Sequence, residues 1–263
     1  RACLLTGASG GIGRAVALEL ARHGVRLVLS GRRHEALSEL STEIALHGGS
    51  AKVVVGDLLD AGGAERIVQQ ALELEPTLDM LINCAGASHF GTFENTPPEV
   101  LDSLLRTNVL APMRLIQATL PALRARPRGL IVNVGSIFGS IGFPCFATYS
   151  ATKFALRGFS EALRRELAGT GLDVLYFAPR YTRTALNTDK VARMAAAVKM
   201  NQDEPEAVAV ALVAAIESQL AERYLGWPEK LFVRINALFP RLVDGALIKQ
   251  AGQMRPYALE RLA

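Results

Sequence analysis

Three polar residues in the second half of the chain, Ser136, Tyr149 and Lys153, have the types and spacing needed to transfer a proton to or from an oxygen atom. Tyr149 and Lys153 are four residues apart, so a helix would present both side chains on one face. A phenol has a pKa of about 10, and we expect the nearby ammonium to lower the pKa of Tyr149 toward neutrality, where acid-base catalysis is most efficient. Ser136 can donate a hydrogen bond to a substrate oxygen. Taken singly, each residue also fits an ordinary structural role.

A glycine-rich turn near the start of the chain is suited to bind a dinucleotide. Residues 2–6 read as a buried strand, and Thr6-Gly7-Ala8-Ser9-Gly10-Gly11-Ile12-Gly13 leads from it into a helix. Glycines let backbone N–H groups approach a pyrophosphate, and the positive end of the new helix favours the same anion. A strand, a glycine turn and a helix in this order are typical of such a site, although a plain tight turn is the alternative.

The end of the second predicted strand indicates which dinucleotide is bound. NAD sites place a carboxylate there to hold the ribose 2′-hydroxyl, but this strand ends in Leu29-Ser30-Gly31-Arg32-Arg33. A guanidinium group suits a 2′-phosphate because its planar donors match the oxygens of that group. We therefore predict NADP(H) rather than NAD(H), with Arg32 as the main contact. The alternative is that both arginines only begin a solvated helix.

Hydrophobic patterning predicts the elements that position these residues. Apolar runs at 2–6, 25–30, 51–55, 78–83, 129–134 and 172–178 alternate with stretches of helical spacing near 12–23, 34–47, 62–73, 98–125, 149–169 and 205–221. Continuous apolar runs are typical of strands buried on both faces. With residues 223–226 as a last strand, this pattern predicts an α/β fold, a Rossmann-type doubly wound parallel sheet of about seven strands with helices on both faces.

Composition fits one large domain and excludes several classes of protein. Half of the 263 residues are hydrophobic, 21% are charged, and the net charge of +4 is too mild to indicate a nucleic-acid partner. The three cysteines are too few for a disulfide framework, and no apolar run reaches the roughly 20 residues of a membrane span. The sequence does not open with a signal-peptide pattern. We expect a cytoplasmic protein without a bound metal.

The motifs together resemble those of the compact, single-domain short-chain dehydrogenase/reductases. The matching segments are the glycine turn, Asp57-Leu58, Asn83-Cys84-Ala85-Gly86, Asn108, Ser136 and Tyr149-Ser150-Ala151-Thr152-Lys153, in the order and spacing of that family over roughly residues 2–226. The resemblance implies that Asn108, Ser136, Tyr149 and Lys153 are catalytic. It implies a cofactor site made by Gly7, Ser9, Gly11, Ile12, Gly13, Arg32, Asp57, Leu58, Asn83, Ala85, Gly86, Tyr149, Lys153, Pro179, Thr182 and Thr184.

The chain departs from the family where Arg180 follows Pro179, since a glycine is usual at that position. The shape of the loop after the sixth strand is therefore in doubt, and Arg180, Arg183 and Lys199 are candidates to meet an anionic group of the substrate. The resemblance implies interconversion of a carbonyl and an alcohol, and a homodimer or homotetramer built on the helices near 98–125 and 149–169. The alternatives are a non-catalytic NADP-binding sensor and, less favoured, an enzyme acting on nucleotide-sugars.

The apolar segment 137–146 and the tail bear on the substrate. Segment 137–146 lies between Ser136 and Tyr149 and, with His89-Phe90 and 181–203, predicts a pocket for a lipophilic or fatty-acyl-type carbonyl or alcohol, unless these residues are simply core. Beyond a dinucleotide-binding and catalytic domain at 1–226, we expect a helical extension at 227–263. The interpretation that we favour packs this extension on the same domain or on a second subunit. Peripheral contact with a membrane is the alternative.

Overall fold

The computed structural model of the chain describes residues 1–260 and contains a seven-stranded sheet in which all neighbouring strands are parallel. The strands are β1 (Ala2–Thr6), β2 (Arg26–Gly31), β3 (Ala51–Val55), β4 (Met80–Asn83), β5 (Gly129–Val134), β6 (Leu172–Ala178) and β7 (Glu222–Tyr224). Their order across the sheet is β3-β2-β1-β4-β5-β6-β7. The prediction of a doubly wound parallel sheet of about seven strands is confirmed.

Helices connect the strands and continue beyond the sheet. They are α1 (Gly11–Arg22), α2 (His34–Leu46), α3 (Gly63–Leu74), α4 (Pro98–Leu105), α5 (Ala111–Arg124), α6 (Ala147–Glu166), α7 (Asp189–Ala197), α8 (Pro205–Glu217), α9 (Glu229–Leu238) and α10 (Pro240–Leu259). The helix α7 lies between β6 and α8, where the hydrophobic pattern assigned no helix. Its start is stabilised by Thr188, whose hydroxyl accepts a hydrogen bond from the backbone N–H of Val191.

Both faces of the sheet are covered because its strands carry apolar side chains on both sides. Successive side chains of β1 point in opposite directions, so Leu5 joins a cluster with α1, α2 and α8, and Leu4 joins one with α3, α5 and α6. Both leucines are completely buried, and burial of a leucine side chain contributes about 1.5–3 kcal/mol. The two clusters fix the strands, and so fix the loops at their carboxyl ends.

The helices α9 and α10 lie beside the carboxyl-terminal half of the sheet. Val233 and Val243 pack with Ile137 and Ile141 of the loop after β5, and all four are buried. Further along α10, Met254 packs with α7 and with the aromatic side chains near the start of α6. The inner faces of both helices are therefore part of the same packed structure as the sheet.

Candidate active site

The turn between β1 and α1 requires glycine at two positions. Gly7 has a φ of +67°, and the place of its missing Cβ lies 2.7 Å from the backbone of Ala85 in the next strand connection. A Cβ on Gly13 would overlap the carbonyl oxygen of Gly7. The turn lies between β1 and β4, where the strand order reverses, which is the position at which open α/β sheets bind ligands.

A cavity of about 970 Å³ opens along the carboxyl ends of the strands. The expected site residues that line it are Gly7, Ser9, Gly11, Ile12, Gly13, Arg32, Asp57, Leu58, Ala85, Gly86, Ser136, Tyr149, Lys153, Pro179, Thr182 and Thr184. The structure thus brings together residues from seven separate stretches of sequence. Two expected residues, Asn83 and Asn108, lie behind the cavity wall rather than on it.

Asn83 is buried within the sheet at the end of β4. Its Nδ2 donates to Oδ1 of Asn133 at 2.9 Å, and Nδ2 of Asn133 donates to the hydroxyl of Ser160 on α6 at 2.9 Å. These bonds connect two strands to the helix that carries Tyr149. The contact beside the adenine ribose that the family resemblance implies for Asn83 stays a prediction.

The helix α6 brings Tyr149 and Lys153 together opposite the end of β5. The Nζ of Lys153 lies 5.7 Å from the centre of the Tyr149 ring and donates to the carbonyl oxygen of Val134 at 3.1 Å. Ser136 follows β5, and its Oγ accepts a hydrogen bond from the N–H of Phe138 at 3.1 Å. Because that bond uses a lone pair of the oxygen, the O–H of Ser136 is left to donate.

Burial determines the protonation of the pair, and it differs from the sequence-based expectation. Removal of the phenol from water raises the pKa of Tyr149 to about 12, an effect that the nearby Ser136 hydroxyl only partly offsets. Burial also lowers the pKa of Lys153 to about 8, because desolvation disfavours the ammonium. The expected lowering of the Tyr149 pKa is therefore wrong for the protein alone: Tyr149 is protonated, and Lys153 is the group that titrates near neutrality.

Asn108 lies in a π-helical turn, Arg106–Leu110, that interrupts the helix expected at 98–125. Its Oδ1 accepts from the N–H of Ala87, and its Nδ2 donates to the carbonyl of Ala87, both at 2.8 Å. The same Nδ2 donates to the hydroxyl of Thr152, the residue before Lys153, at 3.0 Å. Asn108 thus joins the loop after β4 to α6, and the extra backbone residue of a π turn is a common way to place such a side chain.

The two arginines after β2 have different surroundings. Arg32 is largely exposed, and its Nη1 lies 4.0 Å from Oδ2 of Asp57 at the rim of the cavity. Arg33 turns toward the glycine turn, where its Nη2 donates to the carbonyl oxygen of Ser9 at 2.7 Å. An arginine at the rim, held loosely by a single carboxylate, is free to reorient toward an anion.

Arg180 is tied to two carboxylates. Its Nε and Nη2 donate to the two oxygens of Asp203 at 3.0 and 2.7 Å, and its Nη1 donates to Glu229 at 3.1 Å. Glu229 also accepts from Asn201 at 2.8 Å. The hypothesis that Arg180 meets a substrate anion is therefore not supported. Instead, this ionic cluster joins the loop after β6 to the start of α9.

Tyr176 is a residue near the site that the sequence analysis did not single out. It is buried in β6, its hydroxyl accepts from the N–H of Ser136 at 3.4 Å, and it donates to the carbonyl of Ser136 at 3.2 Å. Its ring occupies the space where Gly135 and Gly139 lack a Cβ. Burial raises its pKa, so the hydroxyl keeps its proton. Gly135 and Gly139 near Ser136 leave the space for this side chain, but the glycines alone do not identify the residue that fills it.

Aromatic side chains form the wall of the cavity beside Tyr149. Phe138 and Phe143 stack with ring centres 4.4 Å apart, and Phe146 packs on both. Phe138 also meets the ring of Tyr149 edge-on at 6.2 Å. On the other side, Phe232 of α9 and a face of α10 line the same cavity. This end of the cavity is therefore apolar, and the carboxyl-terminal extension supplies part of it.

Comparison with known proteins agrees with this geometry. Residues 1–195 match the family model described as short chain dehydrogenase. The ketoacyl reductase HetN of Nostoc sp. is 32% identical over 98% of this chain and 86% of its own length. The bovine (Bos taurus) dehydrogenase/reductase SDR family member 7B is 36% identical over 72% of this chain, and the match spans 60% of that relative.

Solved structures show the same fold. The 3-oxoacyl (acyl-carrier-protein) reductase of Agrobacterium tumefaciens, with NADP bound, is 27% identical with a TM-score of 0.78, over 85% of this chain and 92% of that one. The fold and the site define a dinucleotide-binding oxidoreductase that acts on CH–OH or C=O groups. The chain belongs to the short-chain dehydrogenase/reductase family.

Proposed function

We propose that this protein is an NADP(H)-dependent oxidoreductase that interconverts a carbonyl and an alcohol on a lipophilic or fatty-acyl-type substrate, with Tyr149 as the acid and base. The observation that carries the proposal is the arrangement of Ser136, Tyr149 and Lys153 in one cavity, with the glycine turn at one end and an aromatic wall at the other. The ketoacyl and 3-oxoacyl reductases among its relatives support an acyl substrate.

The residues of the chain fit the cofactor. The backbone at Gly7 and Gly11, unobstructed by any Cβ, would hold the pyrophosphate, and the residues after β4 would line the ribose side. When bound, NADP(H) supplies or accepts the hydride, and the protein provides orientation and proton transfer. Ser136 would donate to the substrate oxygen, and Tyr149, which is protonated in the protein alone, would give its proton to that oxygen during reduction.

Lys153 would stabilise the phenolate that Tyr149 leaves behind. Its ammonium is held by the Val134 carbonyl and lies close to the ring, so it is in place before the proton moves. An opposite charge within a few ångströms favours the ionised phenol, which offsets the effect of burial when the proton is lost. The ammonium therefore stabilises the phenolate that forms when the proton is transferred, and it has less effect on the protonated phenol.

Replacement of Tyr149 by phenylalanine tests the proposal. The change removes the transferable proton and keeps the ring packing with Phe138 and Phe146. We expect kcat for reduction of a reactive ketone or aldehyde from a panel of 3-oxoacyl thioesters, long-chain aldehydes and steroid or sphingoid ketones to fall at least about 100-fold. The Kd for NADPH, followed by its fluorescence, should change little. Near wild-type turnover in the variant contradicts the mechanism. A wild-type protein that binds NADPH but reduces no carbonyl of the panel supports a non-catalytic sensor.

The preference for NADP(H) rests on Arg32, and its test compares two cofactors. Replacement of Arg32 by alanine should lower kcat/KM with NADPH about tenfold or more and leave kcat/KM with NADH nearly unchanged, because only NADPH carries the 2′-phosphate. Arg22→Ala is a matched control, since this arginine is also exposed but lies at the end of α1 that is remote from the glycine turn. A wild-type protein that uses NADH better than NADPH contradicts the assignment.

A homodimer or homotetramer is part of the proposal. The helices α4 and α6, and the turn between α4 and α5, carry large apolar side chains that are partly exposed, namely Leu105, Leu110 and Phe154. These side chains lie on the helices that the family resemblance implies for subunit contact. Sedimentation equilibrium of the wild-type protein and of Phe154→Ser measures whether this face joins subunits.

A further inference from the structure

The outer face of α9 combines apolar and basic side chains. Leu231, Arg234 and Leu238 follow each other at spacings of three and four residues, so they share one side of the helix, and all three are exposed. The side chain of Val233 points the other way and is buried against the loop after β5. Trp227 precedes the helix, is 64% exposed, and stacks under the ammonium of Lys230 at 5.2 Å.

The exposed apolar surface continues around the corner from α9 to α10. Leu238, Phe239 and Leu242 are 72%, 60% and 71% exposed, and Arg241 lies between the last two. Such large apolar side chains, exposed in a row, cost free energy in water that a partner surface would recover. We call the surface formed by Trp227, Lys230, Leu231, Arg234, Leu238, Phe239, Arg241 and Leu242 the corner face.

The charges of the corner face are of one sign. Lys230, Arg234 and Arg241 form no ion pair with a carboxylate within residues 1–260. Glu229, the acidic residue at the start of α9, is turned inward and bound by Arg180. Glu222 of β7 lies near Lys230 and Arg234 but is paired with Arg164 at 3.5 Å, and Asp244 lies on α10. The face therefore offers cations that are free to meet phosphate groups.

The cavity opens beside the corner face. Phe232 and Leu242 both line the cavity and are 44% and 71% exposed, so they form part of its rim. Leu186, from the loop after β6, is likewise exposed and lines the cavity. An apolar molecule that leaves a lipid layer at this rim would meet Phe232 and Leu242, which line the same cavity as the aromatic wall beside Tyr149.

We propose that the corner face docks on a membrane surface that carries anionic lipids, and that the apolar substrate enters the cavity from that surface. Tryptophan, leucine and phenylalanine next to lysine and arginine are the side chains that lie at the boundary between headgroups and acyl chains. Each nearby basic residue is attracted to the negative charge of such a membrane. Within residues 1–260 no helix meets the length and hydropathy of a membrane span. The entry of substrate rests on the proposed function, whereas the docking does not.

Vesicle flotation of the full chain tests the docking. We expect the wild-type protein to float with vesicles of phosphatidylcholine and phosphatidylglycerol, and to float much less with phosphatidylcholine alone. The double variant Leu238→Ser/Phe239→Ser should lower the partition coefficient about tenfold or more, because it removes the inserted side chains. Arg234→Gln/Arg241→Gln should lower it on the anionic vesicles and have little effect on the neutral ones.

The matched control is Leu46→Ser/Phe93→Ser, which removes a leucine and a phenylalanine of similar exposure elsewhere on the surface. It should float as the wild type does. Reduction of a water-soluble ketone without vesicles should be equal in the wild type, in Leu238→Ser/Phe239→Ser and in this control, because none of the four residues lines the cavity. Equal loss of flotation in the control and in Leu238→Ser/Phe239→Ser overturns the proposal.

Two further outcomes are decisive. A wild type that does not float, but whose assembly by sedimentation dissociates in Leu238→Ser/Phe239→Ser, shows that a second copy covers the corner face, and overturns the proposal. Flotation that depends on Leu238 and Phe239 in a protein that reduces no carbonyl supports the docking and removes the proposed function. If the wild type both floats and reduces carbonyls, Leu238→Ser/Phe239→Ser should reduce a vesicle-borne ketone more slowly than the wild type and a soluble ketone at the same rate. An equal rate on the vesicle-borne ketone overturns the entry route.

Discussion

The fold shifts the pKa of Lys153 toward neutral pH by burying its amine. Only 5% of its surface is exposed, and burial lowers its pKa to about 8, while Tyr149 nearby has its pKa raised to about 12. Between these two values the phenol keeps its proton and the amine loses its charge. The direction of pH dependence in carbonyl reduction therefore follows from the lysine and not from the tyrosine.

We expect kcat/KM for reduction to be highest below pH 8 and to fall as the pH rises through that value. Below the pKa of Lys153 the ammonium is present to stabilise the phenolate that forms, and above it this stabilisation is lost, although Tyr149 still holds its proton. Initial rates at low substrate concentration across this range measure the profile of the free enzyme. In Lys153→Arg the residual activity should lose this fall, since a guanidinium keeps its charge. A fall that remains in that variant would assign it to another group.

At the scale of elements, the ionic cluster of Arg180, Asp203 and Glu229 joins three segments that are remote in sequence. The side chains are each about one-fifth exposed, so water screens them only in part. The loop after β6 carries Thr182 and Thr184 into the cavity, and α9 carries Phe232 to its rim. The cluster thus holds the expected cofactor side of the cavity and its substrate side in one arrangement.

Replacement of Arg180 by methionine should lower the free energy of unfolding by about 2 kcal/mol, between the values for exposed and fully buried ion pairs, because two carboxylates lose their partner. Urea unfolding followed by circular dichroism measures this change. Arg183→Met is the control: its pair with Glu204 is more than half exposed, and its loss should cost less than about 0.5 kcal/mol. Equal effects of the two replacements would show that the cluster contributes no more than a surface ion pair.

Across the whole molecule, α10 packs behind the site although Met254 lies about a hundred residues beyond Tyr149 in the sequence. Met254 is completely buried with Phe90 and Phe146, and Phe146 contacts the ring of Tyr149. Val233 and Val243 are packed in the same way on the loop that follows Ser136. The extension is therefore coupled by packing to the residues that would hold the substrate.

Met254→Ala should destabilise the protein by about 2–5 kcal/mol, because it leaves a cavity in a packed cluster. It should also raise KM for a lipophilic ketone more than it changes the Kd for NADPH, since the cluster borders the substrate side. Thermal unfolding and steady-state kinetics measure the two effects. Ile248→Ala on the same helix is the matched control: its side chain is 71% exposed, and its loss should change stability by about 0.5 kcal/mol or less. If Met254→Ala lowers stability without a change in KM, the aromatic wall beside Tyr149 does not depend on close packing around Met254.

Local sequence patterns are enough to predict the fold class and most of the candidate site. Continuous apolar runs predict the first six strands within about two residues of their bounds. Five of these strands lie inside the sheet and need apolar side chains on both faces, whereas β3 lies at its edge and is only partly buried. The glycine turn and the four-residue spacing of Tyr149 and Lys153 are local features, so their geometry follows from short-range rules. The π turn at Asn108 has no distinct local pattern and is not predicted. The helix α7 does have local signals, a Thr188 cap and apolar residues at helical spacing, which the hydrophobic runs alone did not reveal.

The charge states, the partners of Arg180 and the contacts of the extension depend on the folded arrangement of the whole chain. The shift of the Lys153 pKa depends on burial by segments that are far away in sequence, and desolvation there outweighs the attraction that spacing alone suggested. The carboxylates that bind Arg180 lie 23 and 49 residues further along the chain. The exposed corner beside the cavity exists because α9 and α10 use their other faces to cover the loop after β5. Burial and long-range pairing are properties of the assembled chain, so no local pattern could reveal them.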